Sequence, residues 1–149
     1  MRRGDFASRC KKENLPLEKC IPPLSVYKAK VNDISQELLE KQGREVKKVV
    51  LMSGKYERIA TLLSLLSRVS DETDHSFWDE VKSIGWTRLD HAIEESQKKF
   101  GDWYPPIIDQ VAHSMAAGFV GTVGSTFSLV GARRVEDWNN GYTAMIDRA

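Results

Sequence analysis

The sequence has little net charge and no long apolar run. Its 22 Lys and Arg residues against 21 Asp and Glu residues leave a formal net charge of +1. This balance gives no global field of the kind that draws proteins to nucleic acid or anionic membranes, so no nucleic-acid partner is expected. No apolar stretch approaches the roughly 20 residues that span a bilayer. No apolar segment follows the opening Met-Arg-Arg-Gly-Asp, so we predict neither a membrane segment nor a signal peptide.

Cysteine and histidine are also scarce. The two cysteines, Cys10 and Cys20, are compatible with free thiols in a reducing compartment or with a short disulfide loop in an oxidising one. No further Cys or His pair completes a zinc site around them. The three histidines, His75, His91 and His113, lack metal-ligand spacing, so structural roles and no metal are predicted. No Ser-His-Asp order or Cys-His pair indicates a hydrolase.

What is present is typical of one globular domain. The chain has 149 residues, of which 41% are apolar and 29% charged. Helical and strand patterns alternate along it, which predicts an α/β fold with a mainly parallel sheet. We expect the four tryptophans to pack in the core. The predicted elements are an irregular loop within residues 1–23, a helix over 24–42 stopped by Gly43, a strand over 48–52, a helix over 77–84, a strand over 86–89, a helix over 105–117, a strand over 118–121 and a helix opening at Ser125.

Three short motifs contain groups suited to a nucleotide. In Arg2-Arg3-Gly4-Asp5, two guanidiniums offer paired donors to a pyrophosphate and a carboxylate is placed to orient one of them. The alternative is an ordinary solvated basic N-terminus. Asp71, in Ser-Asp-Glu-Thr, is placed to accept from the N–H groups of guanine, unless it simply decorates a helix N-terminus.

The third motif, residues 118–128, reads GFVGTVGSTFS. An apolar strand enters a loop of Gly, Thr and Ser, and a helix follows. Helix N-termini present unpaired N–H groups and a positive dipole end, which favour phosphate. The motif is neither a P-loop nor a G-x-G-x-x-G fingerprint. Its alternative interpretation is a plain strand–loop–helix corner with Ser125 as N-cap.

Taken in order, these motifs resemble the GDP-fucose-dependent protein O-fucosyltransferases and α1,6-fucosyltransferases. The family's motif His-x-Arg-Arg-x-Asp-Phe is similar to Arg-Arg-Gly-Asp-Phe at the start of this chain. Its strand ending in Ser/Thr-Asp-Glu is similar to the two pieces VVLMS and SDE. Its last phosphate-binding motif is similar to GFVGTVGSTFS, and the tail after that motif is similar to RRVEDWNNG. The resemblance covers most of the chain apart from residues 54–70.

The resemblance implies a GT-B glycosyltransferase, of which residues 1–149 are the Rossmann-like, C-terminal, GDP-fucose-binding domain. It implies that Arg2 binds the β-phosphate and acts in catalysis, that Asp5 supports the pair Arg2 and Arg3, and that Asp71 binds guanine. It further implies that Thr122, Gly124, Ser125 and Thr126 surround the pyrophosphate. The family inverts the anomeric centre without a metal or other cofactor, since an arginine neutralises the departing GDP. The acceptor is a protein or glycan, and the family works in the Golgi or ER.

The sequence departs from the family in three places. The family histidine would precede Met1, and the N-terminal GT-B domain is absent, so the chain is expected to be truncated and incomplete as an enzyme. Residues 54–70 interrupt the family's Ser-Asp-Glu. Gly-Lys-Tyr at 54–56 is encodable by a sequence containing GTAAGT, a splice-donor pattern, so one hypothesis is a translated retained intron. The plain interpretation is a Leu-rich helix. The alternatives for the whole chain are a non-catalytic remnant or an unrelated α/β nucleotide-binding module.

Overall fold

The computed structural model describes residues 10, 12–15, 22–52 and 75–147. Within these residues, helices alternate with short parallel strands, so the predicted α/β class is confirmed at this level. The elements are α1 (Leu24–Gln42), β1 (Val50–Leu51), α2 (His75–Ser83), β2 (Thr87–Arg88), α3 (Ser96–Phe100), α4 (Tyr104–Ser114), β3 (Gly118–Thr122), α5 (Thr126–Asn139) and β4 (Tyr142–Ile146).

Helix α1 has the predicted bounds. Gly43 takes the left-handed conformation, with φ of +65°, which an L side chain rarely adopts. The Gly43 N–H donates to the Leu39 carbonyl at 3.0 Å and the Arg44 N–H to the Leu38 carbonyl at 3.2 Å. The bond from the Gly43 N–H to the Leu39 carbonyl is the pattern of the αL C-cap motif, so the glycine ends the helix for the expected reason. Ile34 and Leu38 are buried on the inner face of α1, whereas Val26 and Leu39 are exposed.

The most regular part of the chain is the β3–α5–β4 unit. Strands β3 and β4 are parallel and adjacent, and they pair over five residues, from Gly118 opposite Tyr142 to Thr122 opposite Ile146. A parallel pair needs a crossover connection, which α5 provides. Strand β4 was not predicted, although Asn140 and Gly141 end α5 immediately before its sequence YTAMI.

Strands β1 and β2 form a second, much shorter parallel pair of two residues each. The predicted strands over 48–52 and 86–89 therefore exist but are shorter than expected. In the part of the chain that the structure describes, β1–β2 and β3–β4 are separate two-stranded sheets with no strand pairing between them.

The β3–β4 sheet is covered on both faces. Phe119 packs on one face with Ala132 and Val135 of α5. On the other face, Val120 and Ile146 join a core that includes Tyr27 of α1, together with apolar residues of β1 and α2. Residues on a strand alternate between its faces, so β3 contributes to both cores. A Cβ at Gly118 would lie 2.5 Å from the Cγ2 atom of Ile34, so glycine lets α1 approach the strand closely.

Other local predictions were corrected. Helix α4 ends at Ser114 rather than at 117, because the Asn139 side chain of α5 donates to the carbonyls of Ser114 and Ala116. Residues 10, 12 and 13 are helical, where a loop was predicted. Trp78 is buried, as expected, but Trp103 and Trp138 are 82% and 66% exposed.

Candidate functional site

The structure describes one of the three predicted nucleotide motifs. Arg2, Arg3, Asp5 and Asp71 lie outside the described residues, as does the interrupting segment 54–70. Their assigned contacts to phosphate and guanine stay predictions. The four remaining predicted residues, Thr122, Gly124, Ser125 and Thr126, lie together in the connection from β3 to α5, which we call the 122–126 loop.

The 122–126 loop begins where β3 ends. The Val123 N–H donates to the Ile146 carbonyl at 2.9 Å, which is the last bond between the loop and β4. The Ser125 N–H then donates to the Thr122 carbonyl at 3.2 Å and closes a tight turn. Gly124 within this turn has φ of +78°, a conformation that favours glycine. The turn therefore places Ser125 directly ahead of α5.

Ser125 is the N-cap of α5, as the sequence predicted. Its Oγ accepts from the Ser128 N–H at 3.2 Å, while its carbonyl accepts from Leu129. A hydroxyl that accepts in this way keeps its own proton for donation to a ligand. Among the described residues, the N–H groups of Gly124, Thr126 and Phe127 donate to no protein acceptor. These N–H groups lie at the positive end of a 14-residue helix.

Thr122 differs from the other three residues of the loop. It is 4% exposed, whereas Gly124 and Thr126 are exposed and Ser125 is half-buried. The Thr122 N–H donates to Ser128 Oγ at 3.2 Å, so β3 is fixed to the first turn of α5. Ser125, Thr126 and Gly124 consequently offer a ligand the accessible groups, and Thr122 holds the loop in place. Ser128 was not singled out in the sequence, although it orders this corner through two hydrogen bonds.

A cavity of about 470 Å³ runs beside β3 and reaches this corner at Thr122 and Ser128. Its walls include one face of α1, the segment 44–52 that contains β1, and the end of α4. The volume is within the range of ligand-binding pockets, roughly 300–1,000 Å³. Most of the lining is apolar.

His113 of α4 lines the cavity and packs edge-on against two aromatic rings. Its ring centroid lies 4.9 Å from that of Phe119 and 5.7 Å from that of Phe127. Within the described residues its buried Nδ1 atom has no hydrogen-bond partner. Burial among apolar neighbours disfavours the charged imidazolium, which lowers the pKa of His113 from 6.5 to about 4. The side chain is thus neutral near pH 7 and acts as an aromatic packing residue.

A buried polar cluster was missed in the sequence. His91 Nδ1 lies 3.0 Å from Ser96 Oγ, and His91 Nε2 lies 2.9 Å from Asp109 Oδ1. All three side chains are buried. The cluster joins the start of α3 to the middle of α4, and it presents no surface to a substrate, so its role is structural. One feature of the sequence indicated that Asp109 is buried. It lies four residues after Pro105, which places it on the inner face of an amphipathic helix.

Three further observations concern metal ions, the cysteines and membrane-spanning helices. Among the residues that the structure describes, no three His, Cys, Asp or Glu side chains come together as a metal site. Cys10 is buried and disulfide-bonded, which favours the oxidised alternative for this residue; Cys20 lies outside the described residues. No described helix has the length and apolar character needed to cross a membrane.

No family model, no curated protein and no solved structure matches this chain.

Proposed function

We propose that this chain binds GDP-fucose as the donor domain of a fucosyltransferase-like glycosyltransferase, the Rossmann-like C-terminal half of a GT-B enzyme. The observation that carries the proposal is the 122–126 loop. It lies at the carboxyl end of a parallel strand and at the N-terminus of the following crossover helix, and both positions are typical of phosphate sites in α/β folds. The order of the three sequence motifs supports the fucosyltransferase family over other nucleotide-binding proteins.

The loop offers a pyrophosphate two kinds of hydrogen-bond donor and the positive end of a helix dipole. The N–H groups of Gly124 and Thr126 are directed to no protein acceptor among the described residues. The hydroxyls of Ser125 and Thr126 add side-chain donors, and the dipole of α5 favours a negative charge at this end. Gly124 has no Cβ, so a phosphate oxygen is able to approach the backbone closely.

The remaining roles follow from the proposed family. Arg2 would neutralise the β-phosphate as GDP departs, with Asp5 supporting the pair Arg2 and Arg3, and Asp71 would accept hydrogen bonds from guanine. The acceptor would be a protein or glycan, and the reaction would take place in the Golgi or ER.

Nucleotide titration tests the proposal. Isothermal calorimetry of the 149-residue chain with GDP, GDP-fucose and ADP should give binding to the two guanine nucleotides and about tenfold weaker binding of ADP. Binding of all three nucleotides with a preference for ADP would favour an unrelated α/β nucleotide-binding module. An absence of binding to any of them would favour a non-catalytic remnant.

A single substitution tests whether the 122–126 loop holds the phosphates. In Ser125→Asp, the carboxylate is able to cap α5 as the hydroxyl does, but it repels a pyrophosphate. We expect an unchanged or higher melting temperature together with a loss of GDP affinity of at least about tenfold. The matched control is Ser83→Asp, on an exposed residue at the end of α2. Equal GDP affinity in Ser125→Asp and the unmodified protein would place the phosphates elsewhere.

A further inference from the structure

Gln110 links α4 to the first turn of α5. Its Nε2 atom donates to the Phe127 carbonyl at 2.7 Å. A backbone carbonyl accepts and never donates, so this contact fixes which end of the side-chain amide faces α5. Three residues later in α4, the His113 ring packs edge-on against the Phe127 ring at 5.7 Å. Two residues of α4 therefore hold Phe127, one by its backbone and the other by its side chain.

The peptide unit between Phe127 and Ser128 is held at both of its polar groups. Its carbonyl accepts from Gln110, and its N–H donates to Ser125 Oγ at 3.2 Å. Because a peptide unit is planar, its carbonyl and its N–H move together. The position of Gln110 is thus transmitted through one rigid unit to the Ser125 hydroxyl, which belongs to the 122–126 loop.

These hydrogen bonds all run in one direction. The Gln110 amide donates to the Phe127 carbonyl, and the Ser128 N–H of the same peptide unit donates to Ser125 Oγ. The Ser125 proton is left for a ligand. Hydrogen bonds in such a chain polarise one another, so the donor at one end strengthens the donor at the other. A phosphate oxygen at Ser125 would complete the chain with a charge-assisted bond.

We propose that Gln110 is a positioning residue for phosphate binding, which it supports through the Phe127–Ser128 peptide unit and the Ser125 hydroxyl. This role rests on the proposed function, in which the 122–126 loop binds the pyrophosphate of GDP-fucose. The alternative role is a contact that only holds α4 against α5. In that case the loss of Gln110 would lower stability and leave the affinity for phosphate unchanged.

Gln110→Met separates the two roles, because Met is an unbranched side chain without an amide donor. Calorimetry well below the melting temperature should show about five- to tenfold weaker binding of both GDP and inorganic pyrophosphate. The same factor is expected for both probes, since the chain of hydrogen bonds ends at the phosphates. The matched control is Gln36→Met, which removes an exposed amide that donates to Glu40 within α1 at 2.8 Å. It should leave both affinities unchanged.

A double-mutant cycle tests whether Gln110 acts through Ser125. Ser125→Ala removes the hydroxyl at the end of the chain, so adding Gln110→Met to it should weaken GDP binding no further. A contact that only holds the two helices together would give the same loss of affinity with Ser125 or Ala at this position, and that result would contradict the proposed role.

Amide hydrogen exchange provides a readout that needs no ligand. In ligand-free Gln110→Met, the Ser128 amide should exchange at least about threefold faster than in the unmodified chain. The Val123 amide, which donates to Ile146 of β4, should change little. Unchanged GDP affinity or unchanged Ser128 exchange in Gln110→Met overturns the role of Gln110 alone. An unmodified chain that binds neither GDP nor pyrophosphate overturns this role together with the proposed function.

Discussion

The two parallel strand pairs of this chain differ in length and cover. Strands β3 and β4 pair over five residues, and β1 and β2 pair over two. Strand β3 packs Phe119 against α5 on one face and Val120 toward α1 on the other. In β1 only Leu51 is buried, while Val50 is 41% exposed.

This difference indicates that burial on both faces supports the long ladder. Parallel strands are stable mainly when helices cover both faces of their sheet. The β3–α5–β4 unit meets this condition, and it carries the 122–126 loop. The loop is therefore held by a unit that is packed on both faces. Strand β1, by contrast, places only the side chain of Leu51 in the core. A nucleotide bound at the loop would contact the more extensively packed of the two regions.

The largest effect is expected from truncating the centre of the longer pair. Phe119→Ala removes a side chain that is 8% exposed and packed against α5, so the free energy of unfolding should fall by about 3–5 kcal/mol. Val50→Ala in the shorter pair should change it by only about 0.5 kcal/mol. Urea denaturation measures both values. Similar losses of unfolding free energy in the two variants would show that burial on both faces does not make the longer strand pair more important for stability.

The second effect is a pH dependence of stability that arises from His113, which packs against Phe119 of the longer strand pair. The pKa of folded His113 is about 4, below the value of 6.5 expected when unfolded, so the unfolded chain binds the extra proton as pH falls. Stability should therefore decrease as pH drops from about 6.5 toward 4, and this residue should contribute a loss of about 2 kcal/mol between pH 7 and pH 5. Urea denaturation at the two pH values measures it.

The control for this prediction is His113→Gln, which cannot titrate. Its loss of stability between pH 7 and pH 5 should be smaller than that of the unmodified chain by about 2 kcal/mol. An identical pH dependence in the two proteins would mean that His113 is not the group responsible.

The smallest effect is at the helix cap. Ser125→Ala removes the acceptor of the Ser128 N–H and should lower the free energy of unfolding by about 1 kcal/mol. Ser125→Asp retains an acceptor at the same position, so it should restore most of this loss. Thermal denaturation of the two variants measures the difference. If Ser125→Ala were as stable as the unmodified chain, the cap would not contribute to holding the loop.

Local signals in the sequence predicted the elements with strong boundaries. Gly43 ends α1 and Ser125 starts α5 through hydrogen bonds within a few residues, so both were predictable from the sequence. Helix α4 ends early because Asn139, 25 residues away, bonds the Ser114 carbonyl. Strand β4 was missed although Tyr, Thr and Ile in YTAMI are enriched in strands, and its pairing with β3 is a contact between distant segments.

The sequence by itself determined the α/β class, the cap at Ser125 and the Gly, Ser and Thr content of the 122–126 loop, because these depend on local conformation and composition. The tertiary structure alone decided which residues meet. It brought His91, Ser96 and Asp109 into one buried cluster, and it placed β1 and β3 in two different sheets that both line one cavity. Both outcomes depend on contacts between different elements of the chain, which no single short stretch of sequence specifies.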